Sequence, residues 1–326
     1  MNESLLARLD PELVEPVTTV LNAPGGLDYD NIPASRENAK RMSAAMKKLM
    51  PVITGVLTED RLIPGPAGAP DVPVRIYRPE KRTGILPALL WIHGGGYIMG
   101  DIDQEDNLSR QLTLGGDCVV VSVDYRLAPE DPFPAPVEDC YAALKWLANH
   151  GKEIGVDTSR IAIGGASAGG GLCAGLALLT RDRGEIDVLH QFLIYPMIDD
   201  RTTQPAGELF RDALFWTRES NLVGWRCYLG CDPAGDNVSC YAAAARAESL
   251  AGLSPAYIAV GDLDLFAEEN VEYARRLIRA GVPTELHVYP GGHHAFDAQA
   301  PKADISRRFT GDMHRALRRA LHGIPA

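Results

Sequence analysis

A serine flanked by small residues is the clearest chemical feature of the sequence. Gly165-Ala166-Ser167-Ala168-Gly169 matches the pattern G-x-S-x-G. An apolar run at residues 160–163 precedes it and an apolar segment at 172–179 follows, which predicts a strand, a sharp turn and a helix. The glycines allow a turn tight enough to present the hydroxyl at the carboxyl edge of a sheet. The pattern predicts that Ser167 is a nucleophile, but G-x-S-x-G is common and needs support from elsewhere in the chain.

A glycine run after another predicted strand gives that support. His93-Gly94-Gly95-Gly96 follows the apolar run at residues 88–92. Its backbone N–H groups are not obstructed by side chains, and acyl transfer needs such donors for the oxygen that becomes negative in the tetrahedral intermediate. A phosphate-binding loop is disfavoured, because the chain lacks G-x-x-x-x-G-K-[ST] and an acidic residue placed as in a dinucleotide fingerprint. We therefore predict an oxyanion loop.

A serine nucleophile also needs a general base, and the base needs an orienting carboxylate. The loops after the last two predicted strands, 256–260 and 285–289, each offer two candidates. These are Asp262, Asp264, His293 and His294. Parallel strands end at the same edge of a sheet, so both loops should lie near Ser167. The residues alone leave open which aspartate and which histidine take part.

The elements that position these loops alternate between apolar runs and helical patterns. Near-continuous apolar runs predict strands covered on both faces. They lie at residues 88–92, 119–123, 160–163, 189–195, 256–260 and 285–289. Apolar side chains with helical spacing lie between them, for example Val137, Cys140, Leu144 and Leu147, or Val271, Ala274, Leu277 and Ile278 before Gly281. With antiparallel edge strands at 52–57 and 74–78, the alternation predicts an α/β fold with a mostly parallel sheet.

Two regions interrupt this alternation. Residues 1–50 are predicted to be helical, most clearly from an N-cap at Ser35 to a stop at Pro51. Residues 199–232 are rich in aromatic side chains, among them Phe210, Phe215 and Trp216. Either region is an ordinary helical insertion or part of a lid over the site, and the residues alone do not decide between these.

Composition and charge narrow the class of protein. The chain has 326 residues, 46% hydrophobic and 23% charged, which is typical of a soluble globular protein. Its net charge of −11 argues against non-specific electrostatic binding to nucleic acid or to an anionic membrane. Residues 161–180 carry no charge and are long enough to span a membrane, but their six glycines favour a strand, a turn and a buried helix. With an acidic N-terminus that is unlike a signal peptide, the prediction is a cytoplasmic protein.

The six cysteines do not indicate a cofactor. They are spread through the chain, and we expect free thiols. Cys227, Cys231 and Cys240 cluster, but no C-x-x-C pair or nearby histidine completes a zinc site. No metal and no cofactor are therefore predicted.

Taken together, the motifs resemble the hormone-sensitive-lipase-like branch of the α/β-hydrolases, the bacterial carboxylesterases of family IV. The matching segments are His93-Gly94-Gly95-Gly96, Asp124-Tyr125-Arg126-Leu127-Ala128-Pro129-Glu130, the elbow from Gly165 to Gly170, Leu193-Ile194-Tyr195-Pro196, Asp264-Leu265-Phe266, and His294-Ala295-Phe296-Asp297. They span about residues 50–320. In order and spacing together they are highly specific.

The resemblance implies roles for individual residues. Ser167 would be the nucleophile, His294 the general base and then acid, and Asp264 its carboxylate. The oxyanion hole would be formed by the backbone N–H groups of Gly95, Gly96 and Ala168, while His93 and Gly94 would brace the loop. It also implies that residues 1–50 and about 199–232 form a helical cap on a catalytic domain of residues 51–326. Tyr97, Phe210, Phe215 and Trp216 are then candidates for the pocket wall.

The sequence departs from the family pattern at two points. Ala166 stands where Asp or Thr is usual, so a side-chain hydrogen bond at the elbow is missing. The usual D-P-L reads Asp264-Leu265-Phe266, so Leu265 stands where the family has proline. Asp262, two residues before Asp264, is a competing candidate for the carboxylate. His294 is preferred over His293 because the family histidine lies two residues before an aromatic residue, here Phe296.

The resemblance implies a serine carboxylesterase that hydrolyses small esters with short to medium acyl chains. An amidase, lactonase or deacetylase is an alternative, because the same triad serves those reactions. A non-catalytic small-molecule receptor is a further alternative, disfavoured because such receptors usually lose the serine or the histidine. The sequence does not determine the oligomeric state, although dimers are common in the family.

Overall fold

An eight-stranded sheet forms the centre of the computed structural model, which describes residues 3–21, 28–29, 31–49, 53–203 and 213–323. The strands are β1 (Val56–Ile63), β2 (Val72–Pro79), β3 (Leu86–Ile92), β4 (Val119–Val123), β5 (Val156–Ala166), β6 (Gln191–Ile194), β7 (Ala256–Gly261) and β8 (Thr284–Tyr289). Their order is β1-β2-β4-β3-β5-β6-β7-β8. β2 pairs antiparallel with β1 and β4, and all other pairs are parallel. The predicted α/β fold with a mostly parallel sheet is confirmed.

Ten α-helices are described around this sheet. They are α1 (Glu3–Leu6), α2 (Val14–Leu21), α3 (Ile32–Leu49), α4 (Asp106–Gly116), α5 (Ala135–His150), α6 (Ala168–Arg183), α7 (Arg218–Leu229), α8 (Ala267–Arg279), α9 (Phe296–Gln299) and α10 (Asp304–His322). Short 3-10 turns occur at Pro11–Leu13, Gly151–Ile154, Asp200–Thr203 and Ala244–Arg246. α6 packs on β5 and β6, α5 packs on α6, and α10 packs on α4.

The edge strand β1 lies later in the chain than predicted. The apolar run suggested residues 52–57, but the strand begins at Val56 and ends at Ile63, and Val52 lies outside the described residues. Between its buried ends, β1 is mostly exposed and carries Glu59, Asp60 and Arg61. Charged residues are typical of an edge strand, so a search for apolar runs does not find this one.

Helix α3 begins before the predicted cap. Ser35 lies inside the helix, where its hydroxyl accepts from the N–H of Asp28 at 2.8 Å. The side-chain oxygen of Asn31 instead accepts from the N–H of Ala34 at 3.1 Å, which is the hydrogen bond of an N-cap. Pro33 then falls in the first turn, where a missing N–H costs nothing. The predicted cap at Ser35 was wrong because Asn31 followed by a proline is the stronger start signal.

The uncharged segment at residues 161–180 consists of the end of β5, the turn at Ser167 and most of α6, and nearly all of it is buried. Its glycines allow close packing of backbone. A Cβ at Gly171 would lie 2.1 Å from the carbonyl oxygen of Met197, and one at Gly175 would lie 2.2 Å from that of Tyr241. Among the described residues no helix has both the length and the apolar character needed to cross a membrane.

Helix α8 contains the predicted helical pattern and ends before Gly281, but the predicted buried face is only partly correct. Ala274 and Leu277 are buried, but Val271 and Ile278 are 42% and 59% exposed. The buried face also includes Asn270 and Tyr273, so it lies one residue away from the purely apolar stripe. A pattern search that considers only apolar residues does not detect buried polar residues such as Asn270 and Tyr273.

Candidate active site

The loops after three parallel strands bring a serine, a histidine and an aspartate together. Ser167 follows β5, Asp264 follows β7 and His294 follows β8. The Nε2 of His294 lies 3.0 Å from the Oγ of Ser167, and its Nδ1 lies 2.7 Å from the Oδ2 of Asp264. Asp264 is fully buried, and Ser167 and His294 are only 8% and 7% exposed. This arrangement can pass the serine proton to the imidazole while the carboxylate holds the ring.

The turn at Ser167 has the sharp geometry expected from its flanking glycines. Ser167 adopts φ 57° and ψ −121°, a conformation that costs about 1–3 kcal/mol for a residue with a side chain. A Cβ at Gly165 would lie 2.3 Å from the carbonyl oxygen of Gly169, and one at Gly169 would lie 2.1 Å from that of Ile92. Neither position accepts a side chain. The two glycines therefore permit the turn that raises the hydroxyl above the sheet edge.

The two aspartates after β7 have different partners. The Oδ2 of Asp264 accepts from the Nδ1–H of His294 at 2.7 Å, and its Oδ1 accepts from the backbone N–H of Phe266 at 2.9 Å. Asp262 accepts from the N–H of Gly291 at 2.6 Å and pairs with Arg8 at 3.2 Å. Asp262 thus joins the β7 and β8 loops without reaching the imidazole of His294.

The two adjacent histidines also point in different directions. The Nδ1 of His293 lies 2.8 Å from the carbonyl oxygen of His294, and its ring packs against Phe215 at 4.7 Å between centroids. Burial lowers the pKa of His293 to about 4, so the ring is neutral near neutral pH. His294 instead lies between the edges of Tyr195 and Phe266, with centroids 5.0 and 5.2 Å away. Only His294 of the pair contacts Ser167.

The glycine loop after β3 presents backbone donors beside the serine. Gly95 and Gly96 have φ of 122° and 61°, and the next residue, Tyr97, has φ 66°. The N–H of Gly94 is occupied, because it donates to the Oε1 of Glu105 at 3.0 Å. The predicted donors that remain in the loop are thus the N–H groups of Gly95 and Gly96, for which the described residues offer no acceptor. Ala168, the first residue of α6, presents a third at a helix N-terminus.

His93 lies beneath this loop. Its Nδ1 donates to the carbonyl oxygen of Gly94 at 2.8 Å, and its ring stacks on Tyr125 with 4.2 Å between centroids. The hydroxyl of Tyr125 donates to the carbonyl oxygen of His93 at 2.9 Å. Burial lowers the pKa of His93, so a neutral ring fills this space. These contacts fit a residue that supports the loop.

A cavity of about 960 Å³ opens onto Ser167, His294 and the glycine loop. Of the four aromatic residues predicted for its wall, Trp216 lines it and Phe210 lies outside the described residues. Tyr97 and Phe215 are not part of the wall in the described chain. Tyr97 stacks on Tyr228 at 4.0 Å and donates to the carbonyl oxygen of Met197, while Phe215 packs on His293. For these two residues the pocket prediction was wrong, because aromatic composition does not tell which way a ring points.

Three carboxyl groups of the cavity wall were not predicted as site residues, those of Asp101, Glu105 and Asp297. Glu105 accepts from the indole N–H of Trp91 at 2.6 Å as well as from Gly94. Burial raises the pKa of Glu105 and raises that of Asp297 to about 6. The spacing of residues in the sequence does not show which donors lie next to a carboxyl group in the fold, so these side chains gave no signal. The described residues contain no group of three metal-binding side chains, and all six cysteines are free.

Comparison with known proteins identifies the family of this chain. A family model described as the alpha/beta hydrolase fold matches residues 89–298. Esterase LipI of Mycobacterium tuberculosis is 38% identical over 84% of this chain and 85% of that protein. Carboxylesterase NlhH of the same organism is 34% identical over 99% of this chain and 100% of its own. The solved structure of a protein named "Bacterial Heroin Esterase" superposes with a TM-score of 0.91 at 39% identity, covering 97% of this chain and 99% of the other. The chain therefore belongs to the hormone-sensitive-lipase-like, family IV branch of the α/β-hydrolases and is a carboxylic ester hydrolase.

Proposed function

We propose that the protein hydrolyses small esters through an acyl-enzyme on Ser167, with His294 and Asp264 completing a catalytic triad. The observation that carries the proposal is the continuous chain of contacts from Ser167 through His294 to Asp264, at 3.0 and 2.7 Å. The mechanism requires this geometry, because a serine hydroxyl is a weak nucleophile until a base removes its proton. Buried Asp264 keeps the ring in the tautomer that accepts at Nε2.

The reaction proceeds in two balanced steps. Ser167 Oγ attacks the ester carbonyl while its proton moves to His294, and the N–H groups of Gly95, Gly96 and Ala168 stabilise the oxyanion. The intermediate collapses, the C–O bond to the alcohol breaks, and the alcohol leaves with the proton from His294. Water then attacks the acyl-enzyme and gives its proton to His294. The bond between the acyl carbon and Ser167 Oγ breaks, His294 returns the proton to Oγ, and the carboxylic acid departs.

Replacement of the nucleophile tests this proposal. Ser167→Ala should abolish both burst and steady-state release from p-nitrophenyl acetate, and it should also abolish labelling by a fluorophosphonate. Ser159→Ala, at an exposed serine remote from the cavity, is the matched control and should keep both activities. Equal unfolding temperatures would show that the fold is intact. Turnover retained by Ser167→Ala would refute the assignment.

We further propose that residues 1–50 and about 199–232 form a cap over the cavity of the catalytic domain. Two observations support this: Ser43 of α3 and Trp216 both line the cavity, and the hydroxyl of Tyr29 hydrogen-bonds to that of Ser220. The two segments therefore contact each other as well as the cavity. A cap of this kind limits the size of the group that reaches Ser167.

The proposed substrates carry short to medium acyl chains. Trp216 stands directly over the loop, since a Cβ at Gly96 would lie 2.0 Å from its ring. A series of p-nitrophenyl esters should peak below C12, and a maximum at C12 or longer would contradict the proposal. Matched amides and lactones test the other reactions of the same triad. Heroin, the ester in the name of one structural neighbour, belongs in the same panel.

A further inference from the structure

The side chain of Arg36, from the N-terminal helix α3, reaches two loops of the catalytic domain. Its Nε donates to the carbonyl oxygen of Ile98 at 2.7 Å, and its Nη2 donates to that of Ala128, also at 2.7 Å. Only 20% of the side chain is exposed. A single guanidinium thus binds two carbonyl groups that are 30 residues apart in the chain.

Glu130 fixes the orientation of this guanidinium. Its two carboxylate oxygens accept from Nη1 and Nη2 of Arg36, both at 2.8 Å. The hydrogen bonds from Arg36 hold the pKa of Glu130 below its usual range. Such a set of four hydrogen bonds needs the planar fork of arginine, because a lysine ammonium cannot reach the same acceptors in one plane.

The Ile98 carbonyl belongs to the turn that presents the candidate oxyanion donors. The N–H groups of Ile98 and Met99 both donate to the carbonyl oxygen of Gly95, at 3.2 and 2.9 Å. Gly95, Gly96 and Tyr97 are consecutive residues with left-handed backbone. A run of this kind does not hold its shape through local preference and depends on contacts from outside.

The same turn is joined to the loop of Ala128. The N–H of Ala128 donates to the carbonyl oxygen of Tyr97 at 3.1 Å, and Arg36 binds the carbonyl groups on either side of this link. The two loops and the guanidinium thus form one connected unit. A shift of Arg36 would release Ile98, which lies two residues after Gly96.

We infer that Arg36 is a positioning residue for the oxyanion hole, holding the N–H groups of Gly95 and Gly96 in place through Ile98 and Ala128. The inference rests on the proposed function of these glycines. Helix α3 then contributes to the rate of the chemical step as well as to the enclosure of substrate. Oxyanion donors act more strongly on the transition state than on the bound ester, so a displaced loop lowers kcat with little effect on KM.

Arg36→Lys tests the inference, with Arg181→Lys as the matched control. Arg181 also binds two carbonyl groups, those of Ser249 and Ala251, and pairs with a carboxylate, that of Asp182. It is 24% exposed and lies about 20 Å along α6 from Ser167. Both variants should lose similar thermal stability, so that a difference in kcat reports on the loop.

Arg36→Lys should lower kcat for p-nitrophenyl acetate by about 10-fold or more and leave KM within about twofold. Affinity for a trifluoromethyl ketone, which forms the oxyanion on Ser167, should fall by the same factor as kcat/KM. Arg181→Lys should keep the wild-type kcat. In Arg36→Ala, millimolar guanidinium ion should restore part of kcat and have no effect on wild type.

Equal kcat in Arg36→Lys and Arg181→Lys, with loss of stability only, would overturn the inference and show a merely structural role. If Arg36→Lys does not fold, Glu130→Gln gives the same test. The glutamine amide has one acceptor oxygen where the carboxylate has two, so the guanidinium is held less firmly, and the variant should lower kcat without changing KM. Ser167→Ala separates this failure from that of the proposed function. An inactive Ser167→Ala beside a fully active Arg36→Lys would refute the positioning role alone.

Discussion

At the scale of single residues, neighbouring side chains of the same type have different tasks in this site. Asp264 binds the imidazole of His294, whereas Asp262 binds the N–H of Gly291 and Arg8. The two carboxylates are only two residues apart in the turn after β7. The turn directs Asp264 toward the imidazole of His294 and Asp262 toward the backbone of Gly291. The two aspartates therefore differ in the direction of their side chains, although their residue type is the same.

This difference predicts unequal effects of two matched substitutions. Asp264→Asn should lower kcat by roughly 10³- to 10⁴-fold, because an amide cannot hold the ring in the required tautomer. Asp262→Asn keeps an oxygen for the N–H of Gly291 and should lower kcat by less than about tenfold. It weakens the exposed ion pair with Arg8, so the free energy of unfolding should fall by roughly 1 kcal/mol. Steady-state kinetics with p-nitrophenyl butyrate and urea unfolding measure both quantities. Similar kcat losses in the two variants would contradict the assignment of Asp264.

The sequence located the candidate triad side chains better than their supporting contacts. Ser167, Asp264 and His294 follow strands that can be recognised, and parallel strands bring such loops to one edge. Arg36 gave no comparable signal, because its acceptors are backbone carbonyl groups in remote loops. Tyr97 was predicted for the pocket, yet its backbone at φ 66° turns the ring toward Tyr228.

At the scale of elements, the segment before α7 positions the aromatic wall of the cavity. Thr217 caps α7 through a reciprocal pair with Ser220, and Trp216 stands immediately before it. The indole N–H of Trp216 donates to Asn221 at 3.2 Å, so the ring is attached to the first turn of the helix. The helix start thus holds the ring over Gly96, where a Cβ would lie 2.0 Å away.

Trp216→Ala should therefore change the preference for acyl length. Removal of the indole opens space beside the loop, and the ratio of kcat/KM for p-nitrophenyl decanoate over acetate should rise by about 10-fold, the effect of about two newly buried methylene groups. Stability should fall by about 3–5 kcal/mol, as for other buried large side chains. Trp146→Ala, at a tryptophan that is 9% exposed and lines a separate groove, should leave the ratio unchanged. An unchanged ratio in Trp216→Ala would place the selectivity elsewhere.

Central elements were predictable to within a few residues, and peripheral ones were not. β4 matches its predicted bounds, and β7 extends only one residue further, because buried parallel strands are continuous apolar runs. β1 and the start of α3 were misplaced, since an edge strand carries charges and a cap depends on one side-chain hydrogen bond. The predicted region at 199–232 contains α7 and a short 3-10 turn, and its residues 204–212 lie outside the described part.

At the scale of the whole molecule, burial of ionisable groups links stability to pH in opposing directions. Burial lowers the pKa of His190 to about 4, and the same holds for His293 and His314. An unfolded histidine titrates near 6.5, so as pH falls the unfolded chain takes up these protons first and the folded state loses stability. Asp297, with a pKa raised to about 6, acts in the reverse sense because the folded state protonates first.

His190 allows one of these contributions to be measured alone. Its ring stacks on Phe192 with 4.6 Å between centroids, and its Nδ1 lies 3.2 Å from the carbonyl oxygen of Gln191, remote from Ser167. His190→Gln removes the titrating ring and leaves every other group in place. Because the other contributions are common to both proteins, they cancel in the difference between the two unfolding free energies.

That difference should be constant above pH 7.5, where the ring is neutral in both states. Between pH 6.5 and 4 wild type should lose stability relative to His190→Gln at up to about 1.4 kcal/mol per pH unit, or about 3 kcal/mol in total. Urea unfolding of both proteins from pH 8 to 4.5 measures this change. A difference that stays constant over the whole range would mean that His190 titrates equally in the folded and unfolded chains, and the acid sensitivity of the fold would then have to come from other groups whose pKa is lowered in the folded state, such as His93, His293 and His314.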